Sequence, residues 1–429
     1  MNYNVVIEDS LFQKIGKIKV CHICVIMLFF LSFINSGLLI SFLLLSPIIL
    51  LYQEGIIDGS LYMLLYVQTR SILNKSLAVE FTGLPSIIKW FIVFILSFLL
   101  IYNKKQSVNR SIFRCLIIYF LWLVVVAFCC SSYPLVSTFK ALAFAIPFYA
   151  MICGVASSQR NWLYIINHFL GLLVLLSVIA YVAGIGYFAT EYSQTDFFCG
   201  AINHPNLLGT ILILCVSSYL SNLKKLSLES AFYILLLFVM VYVCRSRAAF
   251  FYFLVILCLY ILVNKSSINV KVISFISIFI IVIVSIFMLS DFLISIMHKY
   301  GSDDIMGSRT NQLDGLLFRI KYNPLMGTGF NVPFIPKIRD YIFSFDLVVE
   351  NGNLILSIIA DSGIVGLLLF SLLFYNIYIL GSGTILFIAP MLVSMSEMVF
   401  FSTNNIGIFL YMFYAIYLTK HRAKVQPVN

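Results

Sequence analysis

The sequence predicts an all-α polytopic membrane protein of about twelve transmembrane helices, and three observations predict it. First, of 429 residues 62 % are hydrophobic and only 10 % charged, against roughly a quarter charged in a soluble domain. Second, the apolar residues come in continuous runs, not in the ten-residue alternations of an outer-membrane barrel. Third, Lys and Arg gather in short segments between those runs, where membrane topology needs them. A water-soluble globule could not cover its surface with the polar residues left over. Cytosolic enzymes, secreted domains and disordered chains are thereby excluded. The formal net charge of +10 does not indicate nucleic acid, because no Lys/Arg block exceeds two residues.

The apolar runs fall near 21–52, 86–102, 111–130, 135–155, 162–185, 204–221, 230–244, 248–263, 271–290, 353–375, 384–400 and 405–419. The first is ambiguous. As one helix it would be about 48 Å long against a hydrocarbon core of about 30 Å, and Asn35-Ser36-Gly37 could break it. One long tilted or kinked helix and two short ones both fit. Lys14, Lys17 and Lys19 precede it without a small-x-small cleavage site, so it reads as a retained start-transfer anchor.

Counting 21–52 as one crossing puts the N-terminus, 103–114, 156–161, 222–229, 264–271 and the tail from Lys420 on one side. These short segments hold fifteen Lys/Arg, and the opposite side holds five outside its one long loop (Arg70, Lys75, Lys89, Arg245 and Arg247). The positive-inside rule then predicts a single integral membrane domain over 1–429, with both termini cytoplasmic.

Two outer loops stand out. Residues 186–203 carry Glu191 and Asp196 and no Lys or Arg. Residues 291–352 form the longest interruption, with six basic and seven acidic residues. A loop of this length in a chain otherwise stripped of loops usually works on something. Within it Leu313, Leu316, Leu317 and Ile320 recur at helical spacing among Arg309, Asp314, Arg319 and Lys321. The pattern predicts an amphipathic helix, either lying on the membrane surface or packed on the neighbouring spans as a lid.

The cysteines lie mostly inside apolar runs, where they act as small hydrophobes. Cys21-His22-Ile23-Cys24 has no second pair to complete a zinc tetrahedron. No metal site is expected, and no Walker motif, GxGxxG fingerprint or HExxH helix is present.

Ionisable groups at membrane depth are functional candidates by default. Cys244-Arg245-Ser246-Arg247 places two guanidiniums in a tight outer turn, suited to phosphate oxygens or to interfacial anchoring. Asn203-His204-Pro205-Asn206 opens a span, where His204 and Asn206 could cap the helix or touch substrate. Lys140, Asp361 and Glu397 sit inside apolar runs as cavity contacts or as halves of internal ion pairs. In the long loop, Gly307-Ser308-Arg309 precedes the amphipathic helix and the turn cluster Asn323-Pro324-Leu325-Met326-Gly327-Thr328-Gly329 follows it. Glu350-Asn351-Gly352-Asn353 then re-enters the membrane, followed by Asp361-Ser362-Gly363 and Gly366.

The order of these pieces resembles the O-antigen polymerase and ligase superfamily of Wzy-type polymerases and lipopolysaccharide O-antigen ligases. The matching pieces are Asn203-His204-Pro205-Asn206, Ser246-Arg247-Ala248, Ser308-Arg309, Asn323-Pro324-Leu325-x-Gly327-x-Gly329, and Asn353-Leu354-x-Leu356 leading to Asp361-Ser362-Gly363-Ile364-Val365-Gly366. Together they cover about 200–375. The resemblance implies a GT-C-like body with the large loop, 291–352, in the periplasm. It also implies a glycosyltransferase of the bacterial inner membrane that uses neither metal nor cofactor. Its partners would be an undecaprenyl-pyrophosphate-linked oligosaccharide and the lipid bilayer, with a chain-length regulator as a further candidate. One departure matters: the ligase pattern has a catalytic His where this chain has Gly352, which favours a polymerase.

On this resemblance Arg247 and Arg309 are expected to stabilise the pyrophosphate leaving group, with Arg245 and Arg319 behind them. Glu350 is the expected base by its place along the chain, with Asp346, His204 and His298 as other candidates. His204, Asn206 and Asn353 are expected to bind substrate, with the acceptor glycan under the 309–322 helix. The alternatives are an O-antigen ligase, a capsule or exopolysaccharide polymerase and, from a different class, a lipid-linked sugar flippase or transporter. Transporters often carry internal repeats, and none is visible here.

Overall fold

The computed structural model describes residues 20–105, 109–188, 197–223, 227–263, 307–344, 347, 349, 351–397, 399–403 and 405–425. The described residues form α1 (Val20–Leu31), α2 (Ser36–Ser71), α3 (Leu84–Tyr102), α4 (Arg110–Cys130), α5 (Pro134–Ser157), α6 (Trp162–Val182) and α7 (Pro205–Asn222). They continue with α8 (Leu228–Val243), α9 (Arg247–Val263), α10 (Gly307–Tyr322), α11 (Leu354–Leu380), α12 (Thr384–Ser396) and α13 (Gly407–Val425). A small antiparallel hairpin of β1 (Tyr187–Phe188) and β2 (Phe197–Phe198) closes the base of the acidic loop. Glu191 and Asp196, and the run at 271–290, lie outside the described residues.

Among the described residues six helices, α2 to α6 and α11, are long and apolar enough to cross a membrane. Their outward faces carry apolar side chains at helical spacing, such as Phe91, Ile95 and Phe98 on α3 and Leu368 and Leu372 on α11. In water such faces would aggregate, whereas in a bilayer they meet lipid. The chain is an all-α polytopic membrane protein. At its centre α5 packs along α13, where the fully buried Tyr411 and Tyr414 meet the rings of Phe144 and Phe148.

The run at 21–52 departs from the single crossing expected of it. Asn35 ends the first helix segment and caps the next, its Oδ1 accepting the Leu38 N–H at 2.9 Å. The second segment reverses at Gly55 (φ 79°), where the backbone folds so sharply that a side chain on Gly59 would lie 2.6 Å from the Leu50 carbonyl oxygen. The second half of α2, expected as an outer connection, is instead buried from Gly59 to Arg70. Three helical passes therefore replace one. Apolar periodicity missed the third because Gln53, Glu54, Asp58 and Gln68 interrupt it.

Replacing one pass by three leaves the parity of every later segment unchanged, and contacts between distant segments agree with that. At one end of the bundle Arg160 pairs with Glu54 and with Asp58, and His22 Nε2 lies 3.2 Å from Glu54. At the other end Arg70 donates to the Ser32 Oγ (2.8 Å), the Ser32 carbonyl (2.9 Å) and the Val79 carbonyl (2.5 Å). There too the Asn74 N–H donates to the Ala201 carbonyl (2.8 Å) and the Asn203 N–H to the Ile72 carbonyl (2.9 Å). Segments 103–105 and 156–161 share the first end, through the Lys105 N–H bonded to Ser157 Oγ at 3.0 Å. The loops at 72–83 and 197–203 share the second, called here the loop end.

Candidate active site

At the loop end the predicted turn cluster is built into the body of the protein. After α10 the chain descends through 323–332, with Thr328, Phe330 and Val332 buried, and packs against a break in α11 at Gly363 (φ 71°). The Ile364 N–H donates to the Pro324 carbonyl (2.9 Å), the Thr328 N–H to the Ala360 carbonyl (2.9 Å) and the Gly329 N–H to the Asp361 carbonyl (3.1 Å). The approach is close enough to require glycine: a Cβ on Gly363 would lie 2.0 Å from the Leu325 carbonyl oxygen. Irregular backbone at membrane depth persists only where protein groups satisfy it, and here three charged side chains do so.

Those three are Arg319, Asp361 and Lys140. Arg319, 6 % exposed, donates through Nε to Thr328 Oγ1 (2.7 Å) and through Nη2 to the Gly329 carbonyl (3.0 Å) and Asp361 Oδ1 (2.5 Å). The other oxygen of Asp361 accepts the Asn331 N–H at 2.9 Å. Lys140 reaches from α5 to the Asn331 carbonyl (2.7 Å) and to the Leu347 carbonyl. The amphipathic helix α10 packs on α11 through Leu316 and Arg319, while Leu317 and Phe318 stay exposed. A charged residue thus occupies the face that apolar spacing alone gives to Leu317, because its partner Asp361 waits below.

Beside this platform four helix ends meet. His204 caps α7, its Nδ1 accepting the Asn206 N–H at 3.2 Å. Asn353 caps α11, its Oδ1 accepting the Leu356 N–H at 3.0 Å. The first turn of α9 lies against α7 just past the latter's first turn, since a side chain on Gly209 would meet Ala249 Cβ at 2.7 Å and Ser246 Cβ at 2.9 Å. Glu397, the C-cap of α12, accepts from Asn206 Nδ2 at 2.6 Å. Gly352 joins the group: a Cβ there would lie 2.9 Å from Gln312 Oε1 of α10 and 3.8 Å from the Ser396 carbonyl oxygen. Next to it, Asn351 is 6 % exposed and its Nδ2 has no hydrogen-bond partner among the described residues. Three helix N-termini at one place give a region of positive potential suited to an anion.

The predicted site residues divide as follows. Arg247 is exposed in the first turn of α9, and Arg245 is half-buried in the preceding turn at φ 50°. His204, Asn206 and Asn353 lie at the ends of α7 and α11, all in the group of helix ends. Arg309 falls in the first turn of α10, one turn before Gln312 and so on the same face; its side chain lies outside the described residues. Glu350, Asp346 and His298 also lie outside them. Arg319 belongs to the buried platform below. Gly352 and Gln312 contribute a contact that no sequence pattern signals.

Among the described residues one group has the donors and spacing for a metal: Cys21, His22 and Glu54, within 4.8 Å of one another at the opposite end of the bundle. The Glu54 carboxylate there is already paired with Arg160.

No curated protein matches the chain. Residues 232–371, from α8 to α11, are similar to the family whose model is described as O-antigen ligase, which supports the O-antigen polymerase and ligase superfamily without separating the two activities.

Proposed function

We propose that this chain is an O-antigen polymerase, a glycosyltransferase of the bacterial inner membrane with its loop end in the periplasm and both termini in the cytoplasm. It moves the growing polysaccharide from undecaprenyl pyrophosphate to a new lipid-linked repeat unit, without metal or cofactor. The single observation that carries this reading is the meeting of the α7, α9 and α11 N-termini. It collects Asn203–Asn206, Ser246-Arg247 and Asn353, three of the five pieces that resemble the superfamily, at one point.

The chemistry suits that geometry. Charge develops on the pyrophosphate as the glycosidic bond breaks, and fixed donors aimed at it lower the barrier. Helix N-termini and permanently charged guanidiniums supply such donors. Arg247 and Arg309 are assigned to the pyrophosphate, with Arg245 in support. Arg319, enclosed with Asp361, holds the 323–332 loop and acts as a positioning residue. Gly352 supports a polymerase over a ligase, because no imidazole can arise at that point of the chain.

Deleting the gene and resolving the surface polysaccharide on a gel tests the reading. A lipid A–core bearing one repeat unit supports it. A core with no repeat unit would assign the ligase, and an unchanged ladder would remove the chain from this pathway.

A further inference from the structure

We infer that Asn351 is a substrate-binding residue whose side-chain amide donates to an oxygen of the lipid-linked pyrophosphate, an assignment that rests on the reading above. Asn351 is buried, and its Nδ2 has no hydrogen-bond partner among the described residues. A buried donor without an acceptor costs free energy in the folded protein, and such groups are few in native structures. A serine hydroxyl such as that of Ser357, also without a partner, can turn to a carbonyl of its own helix. Asn351 stands in non-helical chain ahead of α11 and lacks that recourse.

The surroundings select the acceptor. The next residue, Gly352, is pressed between two elements: a Cβ there would lie 2.9 Å from Gln312 Oε1 of α10 and 3.8 Å from the Ser396 carbonyl oxygen at the end of α12. The residue after it, Asn353, caps α11. The Asn351 amide is thus enclosed where α10, α11 and α12 meet, with its Cα within about 7 Å of that of the α11 cap. The first N–H groups of α11 have no intrahelical partners, and their field favours a negatively charged acceptor. The first turn of α10, which carries Arg309 one turn before Gln312, lies at the same junction. Both proposed substrates, the carried chain and the new repeat unit, bring a pyrophosphate to this end of the protein. A sugar hydroxyl is a weaker acceptor, because hydrogen bonds to charged groups are roughly twice as strong as those between neutral ones. The amide also donates without needing a proton, so its contact holds across the pH range in which an imidazole would switch. Asn351 lies outside every piece of the resemblance, which on this segment begins at Asn353, and only its burial without a partner marks it.

Purified full-length protein in nanodiscs is titrated with undecaprenyl pyrophosphate that carries no sugar, and its unfolding temperature is followed by fluorescence with and without the lipid. Asn351→Leu removes the donor at similar volume. An amide that holds the fold together would, on removal, destabilise the ligand-free protein, whereas loss of an unpartnered donor leaves its stability equal or raised. The expected result is a ligand-free unfolding temperature at or above that of the wild type and an affinity for undecaprenyl pyrophosphate lowered by about 10–100-fold. Asn351→Asp, nearly the same shape, sets a carboxylate against the phosphates and should weaken binding at least as much. Wild-type affinity in both variants overturns the assignment. A loss confined to the sugar-bearing lipid also overturns it, by giving the amide to the glycan. A ligand-free unfolding temperature well below the wild type in both variants makes the amide structural and overturns it too. Should Asn351→Leu be absent from the membrane, Asn351→Asp decides: weakened affinity in a well-assembled protein supports the contact, and wild-type affinity refutes it. Failure of the reading itself looks different, since the wild-type protein would then bind no undecaprenyl pyrophosphate at all.

Discussion

Asp361 and Arg319 form an ion pair at 2.5 Å inside the loop end, and the second Asp361 oxygen holds the Asn331 N–H at 2.9 Å. One carboxylate thereby fixes both the helix before the turn cluster and the strand of backbone after it. Removing either partner leaves a charge enclosed without compensation, which costs about 3–5 kcal/mol. Arg319→Leu and Asp361→Leu should each lower thermal stability in detergent sharply. The double variant should recover part of the loss, as read by fluorescence-detected size exclusion after heating.

Arg247→Ala and Arg309→Ala should each collapse the polysaccharide ladder to a single repeat on the core while protein remains in the membrane. Lysine at Arg309 should also be impaired, because an ammonium lacks the planar fork of the guanidinium. A normal ladder from either alanine variant removes that arginine from the chemistry.

Gly363→Ala combines a positive-φ, extended backbone (φ 71°, ψ −175°) that essentially only glycine adopts, about 1–3 kcal/mol for an L-residue, with a Cβ set 2.0 Å from the Leu325 carbonyl oxygen. The variant should be depleted from membranes at growth temperature, and immunoblotting of membrane fractions measures it. Ala at Gly315, where the added carbon meets nothing within 4 Å, should be present at the normal level.

Three passes within residues 20–71 make a topological prediction. Fusions truncated after Lys105 or Arg160 should be fluorescent with a cytoplasmic reporter and inactive with a periplasmic phosphatase. Fusions after Lys75 should behave in the opposite way. A fusion near Gly55 tests the reversal directly: it should report the cytoplasm, whereas a single pass would place it in the periplasm.

Activity of the purified protein should survive EDTA, since the proposed charge stabilisation uses guanidiniums and backbone dipoles. Loss that a divalent ion restores would contradict that account.

The membrane class was legible because it depends on composition and on the length of apolar runs. The Asn35 break was legible too, since an Asn followed by a small residue and then a long apolar run is a capping signal. The second half of α2 was hidden for a physical reason. Its polar residues face partners in the core or at the bundle end, such as Arg160 for Asp58 and the Ile408 N–H for Gln68, so it lacks the uniform apolarity of a lipid-facing helix. Arg319 was read as a second contact to the pyrophosphate, and its enclosure went unseen because its buried partner Asp361 stands far along the chain. Glu397 was visible as a charge, and only the folded arrangement brings it to Asn206. The pieces were readable singly, while their meeting depends on tertiary contacts that no local pattern encodes.

Lys140 grips the chain at two points, the carbonyls of Asn331 and Leu347. The excursion between them also packs on the body, Phe334 against Phe318 and Tyr322 of α10 and Ile335 hydrogen-bonded to Ser132, so a single ammonium on α5 fastens both stems of a segment that is itself seated on its neighbours. One side chain on α5 thereby sets the spacing of both stems, so a change at Lys140 would be felt at 331 and at 347 together.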